Sequence, residues 1–248
     1  MMQKRVFVPV ALLMAALASI AASVFLASRP MQVTLVFHPF VGREVLVLND
    51  FRYANPGGEG IFKIRSFQFF LSNIRLLADS GVYAEHESYH LARFDNDDGE
   101  YRIVFENVPR RNYQYVEFGI GVDAAANGTI EMQGDLDPNG RMAWSWDVGY
   151  KFVLLEGGLM LNEIQYPLVY HVGFDENYKS ISIPLAAGLK KHRAVALDFR
   201  VDLLQMFTAN ALVNMTALPS VKFDLGDAKR LADNYAGMIA LCPGGCGP

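Results

Sequence analysis

From residue 31 onward, apolar and polar positions mostly alternate with a period of two, as in half-buried strands. Val33, Leu35 and Phe37 alternate with Thr34, Val36 and His38, and an apolar run over 45–48 follows Val41-Gly42. A denser stretch, Phe62, Ile64, Phe67, Phe69, Leu71 and Ile74, lies between the turn clusters Asn55-Pro56-Gly57-Gly58 and Asp79-Ser80-Gly81. The same pattern predicts strands over 101–106, 113–121, 142–155, 168–172, 180–184 and 193–202, with Gly- or Pro-containing turns between them, Glu156-Gly157-Gly158 among them. Helical spacing of Ala228, Leu231, Ala232, Tyr235, Met238 and Ile239 predicts a helix over 227–241 with Asp227 as its cap, and a shorter helix over 203–214. Many short strands with regular turns predict an all-β chain. The expected organisation is one β-sandwich domain over 31–241, with a short C-terminal helix and a tail over 242–248.

The first thirty residues follow a different pattern. Lys4 and Arg5 precede 22 uncharged residues over 6–27, enough to cross a hydrocarbon core of ~30 Å as a helix. Two readings stand: an uncleaved membrane anchor, or a secretory signal cut near Ala21-Ala22-Ser23. Both send the body to a periplasmic or extracellular space. In such an oxidising compartment, Cys242-Pro-Gly-Gly-Cys246 reads first as a small-loop disulfide, with a soft-metal or redox pair as the alternative. The first thirty residues hold three basic side chains and no acid, so the remainder carries 19 Lys/Arg against 26 Asp/Glu, a net charge of −7. An acidic body without a basic stripe is a poor match to phosphate backbones, which argues against nucleic-acid binding.

Catalytic signatures are absent: there is no nucleophile elbow, Walker loop, dinucleotide fingerprint or His-Glu-x-x-His helix, and no enzymatic activity is expected. Asp95-Asn96-Asp97-Asp98-Gly99-Glu100 gathers oxygens as a Ca²⁺ loop does. Its glycine falls one position early, however, and Glu106 lies in an expected strand, so a solvated acidic turn fits better. Trp144 and Trp146, the only tryptophans, stand two apart and would share a strand face with Met142. Two indoles on one face serve a core as readily as a site. His171, in Tyr170-His171-Val172-Gly173, and His90, in Tyr89-His90-Leu91, each read as a hydrogen-bonded core histidine or as a ligand. His38 is a reserve ligand. His86 and His192 lie among polar neighbours and read as surface residues.

Several stretches combine in order: residues 67–76, with Ser72-Asn73-Ile74; Tyr89-His90-Leu91; residues 118–123, with Gly121-Val122-Asp123; Asn127; Leu136-Asp137-Pro138; residues 142–146; Gly149-Tyr150; Glu156-Gly157; and Tyr170-His171-Val172-Gly173. This series, spread over nearly the whole body, resembles the methanobactin-associated MbnP-like family. The terminal Cys-Pro-Gly-Gly-Cys falls outside the pattern. The resemblance implies a secreted or periplasmic β-sandwich that binds copper. In some members a partner dihaem peroxidase of the MauG-like group oxidises a tryptophan to kynurenine. Kynurenine offers an amine and a carbonyl where indole offers only a donor N–H, and Cu(I) suits imidazole, thioether and thiolate donors. The ligand set that the resemblance implies is His171, His90, Trp144 or Trp146, and Met142. The rival reading is a secreted sandwich that binds a protein or glycan through exposed aromatic side chains.

Overall fold

The computed structural model describes residues 30–94, 99–129, 131–145, 148–185, 188–189 and 193–247. The apolar run over 6–27, Asp95–Asp98, Trp146 and His192 lie outside them. Among the described residues, no helix is long and apolar enough to cross a membrane.

Among the described residues, fifteen strands form in chain order. The first eight are β1 (Met31–Val41), β2 (Glu44–Val45), β3 (Tyr53–Ala54), β4 (Ile61–Ala78), β5 (Gly81–Ala84), β6 (Tyr89–Arg93), β7 (Tyr101–Val108) and β8 (Tyr115–Ile120). A single helical turn, α1 (Ala124–Asn127), leads to β9 (Ala143–Ser145), β10 (Gly149–Leu161), β11 (Ile164–Gly173), β12 (Lys179–Pro184) and β13 (Ala194–Asp202). Then come α2 (Gln205–Thr208), β14 (Ser220–Val221), α3 (Leu225–Tyr235) and β15 (Ile239–Leu241). One sheet runs β15-β13-β1-β2, with β7 also on β1; the larger runs β12-β8-β4-β10-β11-β14, with β3, β5 and β6 on β4 and β9 on β10. The expected all-β sandwich with a short C-terminal helix is what forms.

The two sheets bury one main core between them. Phe37 of β1 and Phe199 of β13 stack at 5.1 Å, and Phe118 of β8 meets them edge-on from the facing sheet at 6.2 and 6.0 Å. Offset and edge-on geometries are those the ring quadrupoles favour. The larger sheet has a second apolar layer on its outer face, where Phe70, Tyr89, Leu91, Leu136, Met142 and Phe152 pack together. Residues 66–72 of β4 are therefore buried on both faces, which explains their nearly continuous apolar run.

Three expected elements differ. The strand over 142–155 is a hairpin, because Gly149 at φ 84° turns the chain and the Asn127 side chain accepts the Tyr150 N–H at 2.8 Å. The last helix starts at Leu225 under an Asp224 cap that accepts the Asp227 N–H, and residues 239–241 pair with β13 instead of extending it. The helix over 203–214 is one turn. Asn234, fully buried, accepts the N–H groups of Asn210 and Ala211 and donates to the carbonyls of Met206 and Ala211. It thereby satisfies backbone groups that a longer helix would have paired internally. Cys242 and Cys246 form a disulfide, as the compartment reading expects.

Phe199→Ala, at the centre of the inter-sheet cluster, is expected to cost about 3–5 kcal/mol. Leu212→Ala, 57% exposed, should stay within about 0.5 kcal/mol of the parent. Urea unfolding of the two variants checks the contrast.

Candidate functional site

The candidate site lies on the outer face of the larger sheet, at the rim of the second apolar layer. Tyr170 and Val172 of β11 point into the main core, so His171 between them faces outward. Its cross-strand partner is Leu154, which in turn opposes Gln68. Glu156, two residues on from Leu154, shares that face. The His171 Nε2 donates to Glu156 Oε1 at 3.0 Å, while Glu156 Oε2 accepts from Arg65 at 3.0 Å and Arg141 at 2.7 Å. The β4–β10 register shifts between Glu156 and Gly157, leaving Arg65 as the extra residue; a bulge of this kind re-aims a side chain, here toward Glu156. Arg141 also donates to Ser66 Oγ. Lys151, only 8% exposed, donates to the carbonyls of Arg141 and Ala143 and ties the β9 segment to β10.

The electrostatics determine the tautomer. Burial alone would raise the Glu156 carboxyl, but hydrogen bonds from His171 and Arg65 and the charge of Arg141 more than offset it and hold it below its ordinary value. An ionised carboxylate only accepts, so the proton between the two groups sits on His171 Nε2. Burial lowers the His171 pKa; Glu156 opposes this, and Lys151 and Lys222 add to it, leaving the imidazole below 6.5. At neutral pH the ring is uncharged, with its lone pair on Nδ1. No hydrogen bond among the described residues occupies that nitrogen.

The Trp144 indole lies on the same face, over Gly173. It is half-buried and packs against Phe174 at 5.2 Å and Phe223 at 5.1 Å. A Cβ added at Gly173 would meet the Trp144 Cζ3 at 2.6 Å, so the indole sits on Gly173 and no larger residue fits there. Gly173 and His171 share one face of β11 two residues apart, roughly 7 Å along a strand. Phe174 has φ 71°, which for a bulky residue costs of order 1–3 kcal/mol and tends to occur at functional positions.

The other expected ligands are placed elsewhere. His90 opposes Leu71 and stands two residues from Ala92, so it shares their inner face, whereas His171 is on the outer face. The two strands are separated by β4 and β10, about 14 Å at the usual strand spacing. His90 and His171 therefore cannot share one ion, and the sequence expectation that they do is corrected. The His90 ring is held by Glu85 at 2.7 Å, which also accepts from Ser88. Met142 is a turn residue buried in the second apolar layer, not a member of a Trp144 strand face. Trp146 lies outside the described residues. His38 is on the other sheet between Asp198 and Glu100, and His86 is exposed, as expected. Of the five named ligands, His171 and Trp144 are the two that share the outer face among the described residues, the indole lying over Gly173, two residues along β11 from His171. Among the described residues, no three His, Cys, Asp or Glu side chains converge as a metal cage.

Sequence reading missed the role of Glu156, which it placed in a Glu-Gly-Gly turn and a Glu-Gly pair, whereas β10 runs through 156–158 with both neighbouring strands paired to it; it missed Arg65, Phe174 and Phe223 entirely. The charge of Glu156 directly after the apolar run Phe152-Val153-Leu154-Leu155 is the one signal that was available.

Fold and site together define a two-sheet β-sandwich that carries a carboxylate-oriented histidine beside a half-buried tryptophan. The MbnP family model matches residues 30–223, and the chain belongs to that family. Among solved structures, MbnP from Methylosinus trichosporium is similar, with a TM-score of 0.52 and 14% identity, over 75% of this chain and 80% of that one; the likeness is one of fold. No curated protein matches the chain.

Glu156→Gln removes the carboxylate that favours the imidazolium, so His171 is expected to titrate still lower, as followed by NMR of its ring protons. In the parent, the unfolded chain takes up a proton near pH 6.5 while the folded one does not. Stability should therefore fall as pH drops from about 6.5 toward the lower folded value, a trend that His171→Gln abolishes in urea titrations at stepped pH.

Proposed function

We propose that this protein is an extracytoplasmic copper-binding protein, not an enzyme, and that its site is built on His171 and Trp144. The observation that carries the reading is the neutral His171 ring, held through Nε2 by Glu156 with Nδ1 free, next to the indole on Gly173. Histidines that ligate metals commonly donate their second ring N–H to a carboxylate in this way, which fixes the tautomer and raises ligand basicity. Imidazole suits copper.

One imidazole is not a complete Cu(I) site, and indole lacks a lone pair to add. Oxidation of Trp144 to kynurenine, with two equivalents of hydrogen peroxide as the oxidant and the indole C2 carbon leaving as formate, would supply an amine and a carbonyl on the same flank. A dihaem MauG-like peroxidase is the proposed partner for that oxidation, and the half-buried indole leaves an edge for it to reach. Residues 6–27 would deliver the body to the periplasm or beyond, either cleaved or as a membrane tether.

Chain purified from cells that express the peroxidase should carry copper near one equivalent and a mass increase of ~4 Da at Trp144, from loss of one carbon and gain of one oxygen. His171→Ala should lose the copper and keep the fold; Trp144→Phe should lose both the mass increase and the tight copper. Metal-free protein after Cu(I) reconstitution, or an unmodified Trp144 peptide, would count against the reading.

A further inference from the structure

A groove of about 470 Å³ opens where β11 meets β14. Leu159, Leu161, Tyr166, Val169, Met215 and Pro219 form its walls. Small-molecule sites usually occupy roughly 300–1,000 Å³ with mostly apolar walls and a few placed polar groups. Polar side chains line it at Thr216, before β14, at Ser220 on β14 and at Lys222 just beyond it; Lys222 is the charged one, and no acidic side chain lines the groove. Lys222 is exposed and has no anionic partner among the described residues. One cation facing an apolar trough selects for a ligand of opposite charge and apolar body.

The backbone beside the groove argues against an added strand. The Val169 N–H donates to the Pro219 carbonyl at 3.0 Å, so that residue's polar groups face β14. The β11–β14 pairing covers only Val169 and Tyr170 on β11. Pro167, two residues earlier, faces the same way and has no N–H to offer. Proline at such an edge is a device against strand addition, so an extended peptide gains little main-chain bonding here. A compact ligand held by its apolar body needs none.

We propose that this groove binds a small organic carboxylate with an apolar body, the carboxylate on Lys222 and the body along Val169 and Tyr166. A salt link to an exposed lysine contributes little alone; the apolar walls hold the ligand and Lys222 selects the sign of its charge. The site adjoins the Trp144 cluster through Phe223, the next residue in the chain, but needs no metal.

The test is calorimetric titration of the full-length protein with naphthalene-2-carboxylate, alongside its neutral analogue 2-naphthalenemethanol and the cationic 2-naphthylmethylammonium. One saturable site is expected for the carboxylate, with the cation at least tenfold weaker. Lys222→Glu should weaken the carboxylate at least tenfold, and Val169→Trp, which fills the trough, should remove binding of the carboxylate and the alcohol alike. Circular dichroism of each variant confirms that it is folded. Equal affinity for the three probes, indifference of a folded variant to either substitution, or no saturable binding to the parent would each overturn the proposal.

Discussion

Burial of β4 and β10 on both faces is the constraint from which the rest follows. The inner face packs into the main core against the smaller sheet through Phe67, Phe69 and Leu71 of β4 and Val153 and Leu155 of β10. The outer face needs a second cover, supplied by the segment that carries Leu136, Met142 and the β9–β10 hairpin. That cover reaches only part of the sheet. At its rim, side chains that alternation sends outward are neither in core nor in water, and the polar ones must be satisfied where they stand. Glu156, His171 and Ser66 meet that requirement through one network, in which the exposed Arg65 and Arg141 reach in from solvent to donate to Glu156 and, from Arg141, to Ser66. Half-burial makes His171 neutral, and the buried-side carboxylate decides which of its nitrogens is free.

Several of the motifs on which the family resemblance rests serve this outer cover. Asn73, at φ 53°, places its amide on the Asp123 carboxylate, which also accepts the Tyr89 hydroxyl at 2.6 Å and caps α1. Burial would raise the Asp123 carboxyl, but those hydrogen bonds and two from backbone N–H groups leave it below its ordinary value. Asn127 bonds both the Tyr150 N–H and Asp175, tying the hairpin to the 3₁₀ turn at Asp175–Asn177 that follows β11. Ser-Asn-Ile, Gly-Val-Asp and the asparagine after them are thus fasteners. They hold the layer that positions Trp144 over Gly173, and family membership is written largely in scaffold. Chemistry enters through few residues, with Glu156 and His171 joining the two roles.

The sandwich itself was legible in the chain. Period-two alternation placed β1, β4, β7, β8, β12 and β13 within a few residues, because a sheet with one wet face imposes that alternation, but it missed the short β5, β6, β14 and β15. Where both faces are buried, as over 66–72, the alternation fades and the apolar run alone marks the strand. Boundaries failed where a side chain distant in sequence does the work of a local bond. Asn234 ends α2 from 23 or more residues away, and Asn127 helps make the β9–β10 turn. No local pattern contains those bonds.

The same distinction applies to the site. Its components were visible as letters: a histidine at the end of an apolar strand, a Trp-x-Trp pair, and a Glu-Gly pair. The sequence by itself determined that the body is an apolar-cored, all-β chain with a small supply of soft donors, because residue type and period are local properties. Which donors can meet was decided only by tertiary structure. Strand register sends His90 to the inner face and His171 to the outer one, and a shift of a single residue in either pairing would have exchanged those faces. That register is set by the burial of whole strands, not by the histidines.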